Sequence, residues 1–388
     1  MHLLVVLEDR ISDWSAKGEI LEGYFNPDAA FETITILGLV ADAPDSATLA
    51  RLCGPAHCRY ISAEIDRRYL ALSTVGLRYG LLSRSMRHLK ARLDANLPQV
   101  IRAYGDGLGA IAASIIADQT GIPFAVSLHT TPDPLIQSRF LEFKDRIWRR
   151  LAQSSVMRAL RNADGIIAVY SPIKDYLPLD IAAKTQVIPN VVGIREDAAR
   201  STRGGPPLKL IWLSRQMLGR DPRPVIAALS ELPDVELTLV GDGPLHQAAR
   251  RMISVEGLDD RVHVLPAVEN EDLCAMLPDH DVMVLNSGFR EMPKSVMEAS
   301  LCGLPILVNR EPAENTDEYR HIPAIFIDGR AESYRDAIRD LMRDSERRLT
   351  LGRQTGEQAW NAWNPQTAGS RAADLLRALA MRGRTRCE

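Results

Sequence analysis

The chain has 388 residues, more than one ordinary hydrophobic core holds, so two domains of common size are expected. Hydrophobic residues make up 46% and charged residues 25%, a balance that builds a core and excludes an intrinsically disordered chain. A formal net charge of -3 supplies no positive field to gather phosphates, so nucleic-acid binding is not expected.

The first residues, His2-Leu3-Leu4-Val5-Val6-Leu7, carry no basic leader and run into Glu8-Asp9-Arg10, the pattern of a first strand rather than a signal peptide. No stretch nears the roughly eighteen uninterrupted apolar residues of a membrane span, and a cytoplasmic location is expected. Apolar runs at Leu3–Leu7, Thr33–Leu39, Val100–Ala103, Phe124–Leu128 and Ile166–Val169 alternate with amphipathic stretches. Short runs of this kind, bounded by turn residues, predict a parallel sheet covered on both faces over residues 1–192.

The polar segment 193–207, with Gly204-Gly205-Pro206-Pro207, predicts a linker. A second series follows at Lys209–Leu213, Glu236–Val240, Val262–Leu265, Val282–Leu285 and Ile306–Val308, and predicts a second α/β domain over 208–364. Two such domains in tandem are expected to turn the carboxyl ends of their strands to a cleft, where ligands bind. Residues 365–388 follow a stop at Trp363-Asn364-Pro365 and are helical in pattern. They are expected either to cap the second domain or to cross back to the first.

The five cysteines, Cys53, Cys58, Cys274, Cys302 and Cys387, are scattered without metal-ligand spacing, which predicts reduced thiols. Three segments of the second half carry candidate chemistry. Gly241-Asp242-Gly243-Pro244 follows an apolar run and precedes a helix; it is either a plain connector or a place where a ligand approaches the backbone closely. Arg215 ends the first strand of that half and Arg220 lies in the next loop. Arginine is a forked, permanent cation suited to a pyrophosphate. The segment Asn286–Ala299 leaves a strand and enters a helix near Pro293, so the first-turn N–H groups around Lys294, Ser295 and Val296 can meet an anion. Glu298 lies about one and a half turns into that helix and can offer its carboxylate to a ribose diol.

Arg215 with Arg220, Gly241-Asp242-Gly243-Pro244, Met292-Pro293-Lys294-Ser295-Val296-Met297-Glu298-Ala299 and Cys302-Gly303-Leu304-Pro305 resemble, in order and spacing, the retaining glycosyltransferases of family 4. In the first half, Tyr24-Phe25-Asn26-Pro27, Ile101-Arg102-Ala103-Tyr104-Gly105, Ser127-Leu128-His129 and Val187-Ile188-Pro189-Asn190 are similar to the acceptor-domain landmarks of that family. The resemblance implies a GT-B fold, with two Rossmann-like domains whose parallel sheets face a central cleft. It implies a nucleotide-sugar donor (UDP- or GDP-sugar) and a glycan or lipid-linked acceptor. Arg215 and Arg220 would hold the diphosphate, Glu298 the ribose, and Gly243, Arg290 and Met292 to Val296 would complete the donor site. No cofactor and no obligatory metal are implied.

This sequence departs from the family pattern in the donor loop. The family carries two glutamates seven residues apart, and an ungapped count back from Glu298 lands on Arg290, with Glu291 one position late. Either Glu291 still reaches the sugar hydroxyls, or Arg290 replaces the acid and suits a carboxylated sugar. Arg220 and Asp221 stand where the family more often has Lys and Gly.

On the acceptor side, His129 follows the strand Phe124–Leu128 at the edge where α/β domains place ligand contacts. It is the candidate to contact the donor sugar or the reacting centre, with Asp133 a weaker neighbour and Gly18, Tyr104 and Asn190 as further acceptor-side residues. Residues 139–161 set Phe140, Phe143, Ile147, Trp148 and Leu151 among seven cations, and Arg78–Arg92 adds more. This stripe either faces the core or lies peripherally on an anionic membrane surface, inside the cell. Rival readings are a nucleotide-sugar epimerase of the same fold and a non-catalytic nucleotide-sugar-binding protein. A dehydrogenase is disfavoured, since no Gly-x-Gly-x-x-Gly follows the first strand.

Overall fold

The structure, a computed structural model, describes residues 1–63, 97–131, 143–196 and 205–387, with the backbone alone at 143–145, 148, 149, 151 and 384–387. Asp133, the linker residues 197–204, the basic stretch Arg78–Arg92, and Arg139 and Phe140 lie outside the described residues. So do the side chains of Phe143, Lys144, Trp148, Arg149 and Leu151.

The chain divides into two compact units, Met1–Val191 with Gln366–Glu388, and Val192–Pro365. In the first, β1 (His2–Leu7), β2 (Thr33–Gly38), β3 (His57–Ser62), β4 (Val100–Tyr104), β5 (Phe124–Leu128), β6 (Gly165–Ala168) and β7 (Thr185–Val187) form a sheet in the order β3-β2-β1-β4-β5-β6-β7. Every neighbouring pair is parallel. Each residue of β1, β4 and β5 is buried, which is why these strands read as mainly apolar runs rather than alternating ones, with Arg102 the exception in β4. Successive strands step outward from β1 to β3, and the chain then crosses to the other side of β1 to lay down β4. The switch point of this sheet therefore lies between β1 and β4.

The second unit repeats the design with β8 (Leu208–Leu213), β9 (Val235–Val240), β10 (Val262–Leu265), β11 (Val282–Leu285), β12 (Ile306–Asn309) and β13 (Ile325–Ile327), in the order β10-β9-β8-β11-β12-β13. All pairs are again parallel, and the switch point lies between β8 and β11. Sequence periodicity did not anticipate β3, β7 or β13. All three are edge strands, and none is buried along its whole length, so an apolar run has no physical reason to form there.

The final helix, Pro365–Cys387, places Leu376, Leu379 and Ala380 in one core cluster with Leu3, Val5, Phe25 and Val100 of the first unit. Arg371 also donates through Nη2 to the Val187 carbonyl at 2.8 Å, and Arg377 lies 3.7 Å from Asp28. Among the described residues no helix is long and apolar enough to cross a membrane.

Candidate functional site

In the second unit, the loops that follow β8 and β11 flank the switch point and are tied to one another. Gly288 N–H donates to the Gly219 carbonyl at 2.7 Å, Arg220 forms a bridge with Ser287, and the Asn286 amide donates to the Asp221 carbonyl at 3.3 Å. The β11 loop is held from behind by Asn309, whose side chain accepts from Ser287 N–H at 2.7 Å and donates to the Ser287 carbonyl at 2.8 Å. Both amide positions of one buried asparagine thus fix the strand exit, a geometry that sequence spacing does not reveal.

Within this frame Arg220 lies over the Phe289 ring, 5.1 Å from its centroid, and donates from Nε to Glu291 Oε1 at 3.0 Å. The side chains are 25% and 13% exposed, so the pair is partly shielded from water and remains reachable. Arg290 instead turns its Nε to the Asn315 carbonyl. Of the two residues that sequence counting left open, Glu291 is the one beside the diphosphate candidate Arg220. Arg215, at the exit of β8, is exposed, and no described residue pairs with it.

Gly241 and Gly243 have φ of 118° and 142°, and a Cβ on either would come within 2.5 Å of a backbone oxygen, of Ser214 and Gln216 respectively. Their bareness lets this turn lie against the β8 loop, where Gln216 N–H donates to the Asp242 carbonyl at 2.7 Å and Leu245 N–H to the Gln216 carbonyl at 2.9 Å. Gly243 therefore has a structural duty, setting the height of the loop that carries Arg215.

The helix Lys294–Leu301 starts after Pro293, which has an extended backbone, and the N–H groups of Val296 and Met297 already bond to the Pro293 carbonyl. Pro293, Lys294 and Ser295 are half-buried at this helix start. Met292 and Val296 are 2% and 0% exposed, so their side chains belong to the core and only their backbone can face a ligand. Glu298 is also buried, at 2% exposure, and its Oε1 accepts from Asn270 Nδ2 at 2.8 Å. Burial pushes its carboxyl above the ordinary range, opposed by the Asn270 hydrogen bond, the Lys294 charge and the Gly193 N–H.

In the first unit, Tyr104 at the end of β4 stacks on His129 just beyond β5, with centroids 5.6 Å apart and rings 17° from parallel. Tyr24 and Phe25 close the cluster at 5.6 and 5.2 Å from Tyr104. A cavity of about 30 Å³ is lined by Arg102, Tyr104, His129 and Asn190 together with apolar residues of β6 and of the final helix. Three acceptor-side candidates, Tyr104, His129 and Asn190, are thus brought together. Gly18 is not among them: it is buried at φ 68°, closing the helix Ile11–Ala16 with its N–H on the Ser15 carbonyl.

Two residues beside the candidate sites were given no role by sequence reading. Arg102 interrupts the apolar run of β4, and that interruption is the signal that marks it. Glu8, at the exit of β1, accepts from Gly109 N–H at 3.3 Å, so a carboxylate of the chain itself occupies the start of the helix Leu108–Thr120. Among the described residues no group of three or more His, Cys, Asp or Glu side chains is placed to hold a metal ion.

Two parallel α/β sheets, each with a switch point, define the GT-B class. Anabaena HepE, solved in complex with UDP and glucose, has this fold, with a TM-score of 0.68 and 16% identity over 97% of this chain and 100% of that one. Residues 222–344 match the family described as Glycosyl transferases group 1, and residues 48–195 match Glycosyltransferase Family 4. The chain belongs to the group 1 / family 4 glycosyltransferases, as a distant relative of their curated members. It is 27% identical over 234 residues to 2-deoxystreptamine N-acetyl-D-glucosaminyltransferase of Streptomyces fradiae, covering 54% of each chain. It is 28% identical over 179 residues to GDP-mannose-dependent alpha-(1-6)-phosphatidylinositol monomannoside mannosyltransferase of Mycolicibacterium smegmatis, covering 43% of this chain and 47% of that one. The chain spans about half the length of these curated relatives.

Proposed function

We propose that this protein is a retaining glycosyltransferase that moves a sugar from a UDP- or GDP-sugar to a glycan or lipid-linked acceptor, in the synthesis of a surface polysaccharide or glycolipid. The observation that carries the reading is the junction of the β8 and β11 loops, where Arg220 and Glu291 meet at the switch point beside the helix start at Pro293. Family membership and the GDP-mannose dependence of the Mycolicibacterium smegmatis relative support a nucleotide-sugar donor, and the relatives named above act on unlike acceptors.

In this reading Arg215 and Arg220 take the two phosphates, and the N–H groups at the start of Lys294–Leu301 add their partial positive charge. Both stabilise the negative charge that grows on the leaving nucleoside diphosphate. Binding of the phosphates by Arg220 releases Glu291 from part of its ion pair and turns that carboxylate to the sugar hydroxyls. Glu298, fixed by Asn270, takes the ribose. The acceptor hydroxyl attacks on the face the leaving group vacates, and its proton passes to the departing phosphate. His129 orients the reacting sugar from the acceptor side.

The test is a thermal-shift screen across UDP-, GDP- and ADP-sugars, followed by product analysis with donor alone and with donor plus acceptor. A matched donor at a hundred times its Kd stabilises by about 2.7 kcal/mol. A new glycosidic bond that needs the acceptor supports transfer. A changed sugar from donor alone identifies an epimerase, and binding without turnover a non-catalytic protein. The exposed Arg146, Ile147 and Arg150 of the helix Phe143–Asn162 are consistent with a peripheral membrane position. Sedimentation with anionic vesicles checks it, and indifference to anionic lipid removes it.

A further inference from the structure

Arg102 is a buried cation whose charge has no counter-ion among the described residues. It is 8% exposed, on β4, an all-buried strand. Its Nε donates to Ser127 Oγ at 2.9 Å, a neutral acceptor, and its guanidinium lies 4.6 Å from the centroid of the Tyr104 ring. No carboxylate among the described residues pairs with it. A guanidinium removed from water is costly unless it is paired, and one hydroxyl and one aromatic face are weak compensation.

The same guanidinium lines the cavity shared by Tyr104, His129 and Asn190. These residues sit at or just beyond the carboxyl ends of β4, β5 and β7, the edge at which α/β sheets take ligands. At about 30 Å³ the cavity has room for one small polar group and not for a sugar ring. Its floor is cationic through Arg102, and Asn190 adds an amide at its side.

We propose that this cavity is an oxyanion subsite, and that the acceptor of the transferase carries a terminal phosphate or carboxylate which inserts there against Arg102, leaving its sugar or polyol portion outside. The proposal rests on the glycosyltransferase reading for the word acceptor, and on Arg102 and its cavity alone for the anion. A carboxylate, and any two oxygens of a tetrahedral phosphate, present the paired acceptors to which a guanidinium fork donates.

Binding of inorganic phosphate, glucuronate and methyl glucoside to the full chain, with UDP present to occupy the donor side, tests it. Phosphate, glucuronate or both are expected to bind, with Arg102→Gln weakening them about tenfold or more and Arg102→Lys restoring part of the affinity. Phosphate alone assigns a phosphorylated acceptor, and glucuronate alone a carboxylated one. The urea-unfolding transition of the first unit is expected to stay cooperative in Arg102→Gln, which shows that the variant is folded, and UDP affinity is expected to be unchanged. If that variant does not fold, the wild-type chain decides: phenylglyoxal should modify Arg102 slowly, and the bound anion should protect it, as read by peptide mass. Equal anion binding in wild type and Arg102→Gln, preference for the neutral glucoside, or an Arg102 that the reagent never reaches overturns the proposal. Failure to bind any UDP-sugar would instead remove the glycosyltransferase reading and leave the anion result standing.

Discussion

At the scale of single residues, the donor side turns on which charge stands next to Arg220. Its partner is Glu291, whereas Arg290 is spent on the Asn315 carbonyl. Charge-assisted bonds contribute about 1.5–3 kcal/mol each, so Arg220→Gln should weaken UDP or GDP binding roughly tenfold to hundredfold by calorimetry. Glu291→Gln should lower transfer by about tenfold or more while leaving nucleotide affinity nearly unchanged, because it removes a sugar contact rather than a phosphate contact. Arg290→Gln should leave the ratio of uronate to neutral donors as it was; a shift in that ratio would give Arg290 the sugar-reading role instead.

At the scale of elements, the β8 loop, the Gly241–Pro244 turn and the β11 loop form one unit, because each donates or accepts backbone bonds from the next. Gly243→Ala puts a Cβ 2.5 Å from the Gln216 carbonyl oxygen, at a φ that alanine rarely adopts. A strained position of this kind costs about 1–3 kcal/mol, so the melting temperature of the second unit should fall by several degrees. Nucleotide affinity should fall with it, since the displaced loop carries Arg215. An unchanged melting temperature would show that the two loops move apart freely. The final helix poses the complementary case in the first unit, with Leu376 fully buried against the β1 and β4 side of the core. Leu376→Ala should destabilise that unit by about 2–5 kcal/mol in urea unfolding while leaving UDP binding by the second unit intact.

At the scale of the whole molecule, two units are built on the same topology. Each sheet reverses its direction of growth once, and each reversal gathers loops at one edge. In the second unit that edge offers arginines and a helix start. In the first, the Glu8 carboxylate occupies the start of the helix Leu108–Thr120, and the aromatic and cationic side chains of Tyr104, His129 and Arg102 line the cavity. An edge of arginines beside a helix start and an edge of rings with a buried cation differ in chemistry, and the proposed reading of donor on one unit and acceptor on the other is consistent with that difference.

Sequence alone determined the parts that depend on local pattern. Buried strands such as β1, β5 and β8 are mainly apolar because both faces are covered, so they could be read directly, as could the order of motifs from Arg215 to Pro305. What depended on tertiary structure was whatever requires two distant segments to meet. Which of Arg290 and Glu291 stands beside Arg220 needed the position of a residue some seventy earlier in the chain, because an ion pair is decided by distance in space and not by spacing in the chain. The duty of Gly243 needed the Gln216 oxygen, and the meaning of Arg102 needed the cavity beneath Tyr104 and His129. An arginine in an apolar strand is visible in sequence as an exception, but only packing shows that it lines a cavity and that no carboxylate among the described residues pairs with it.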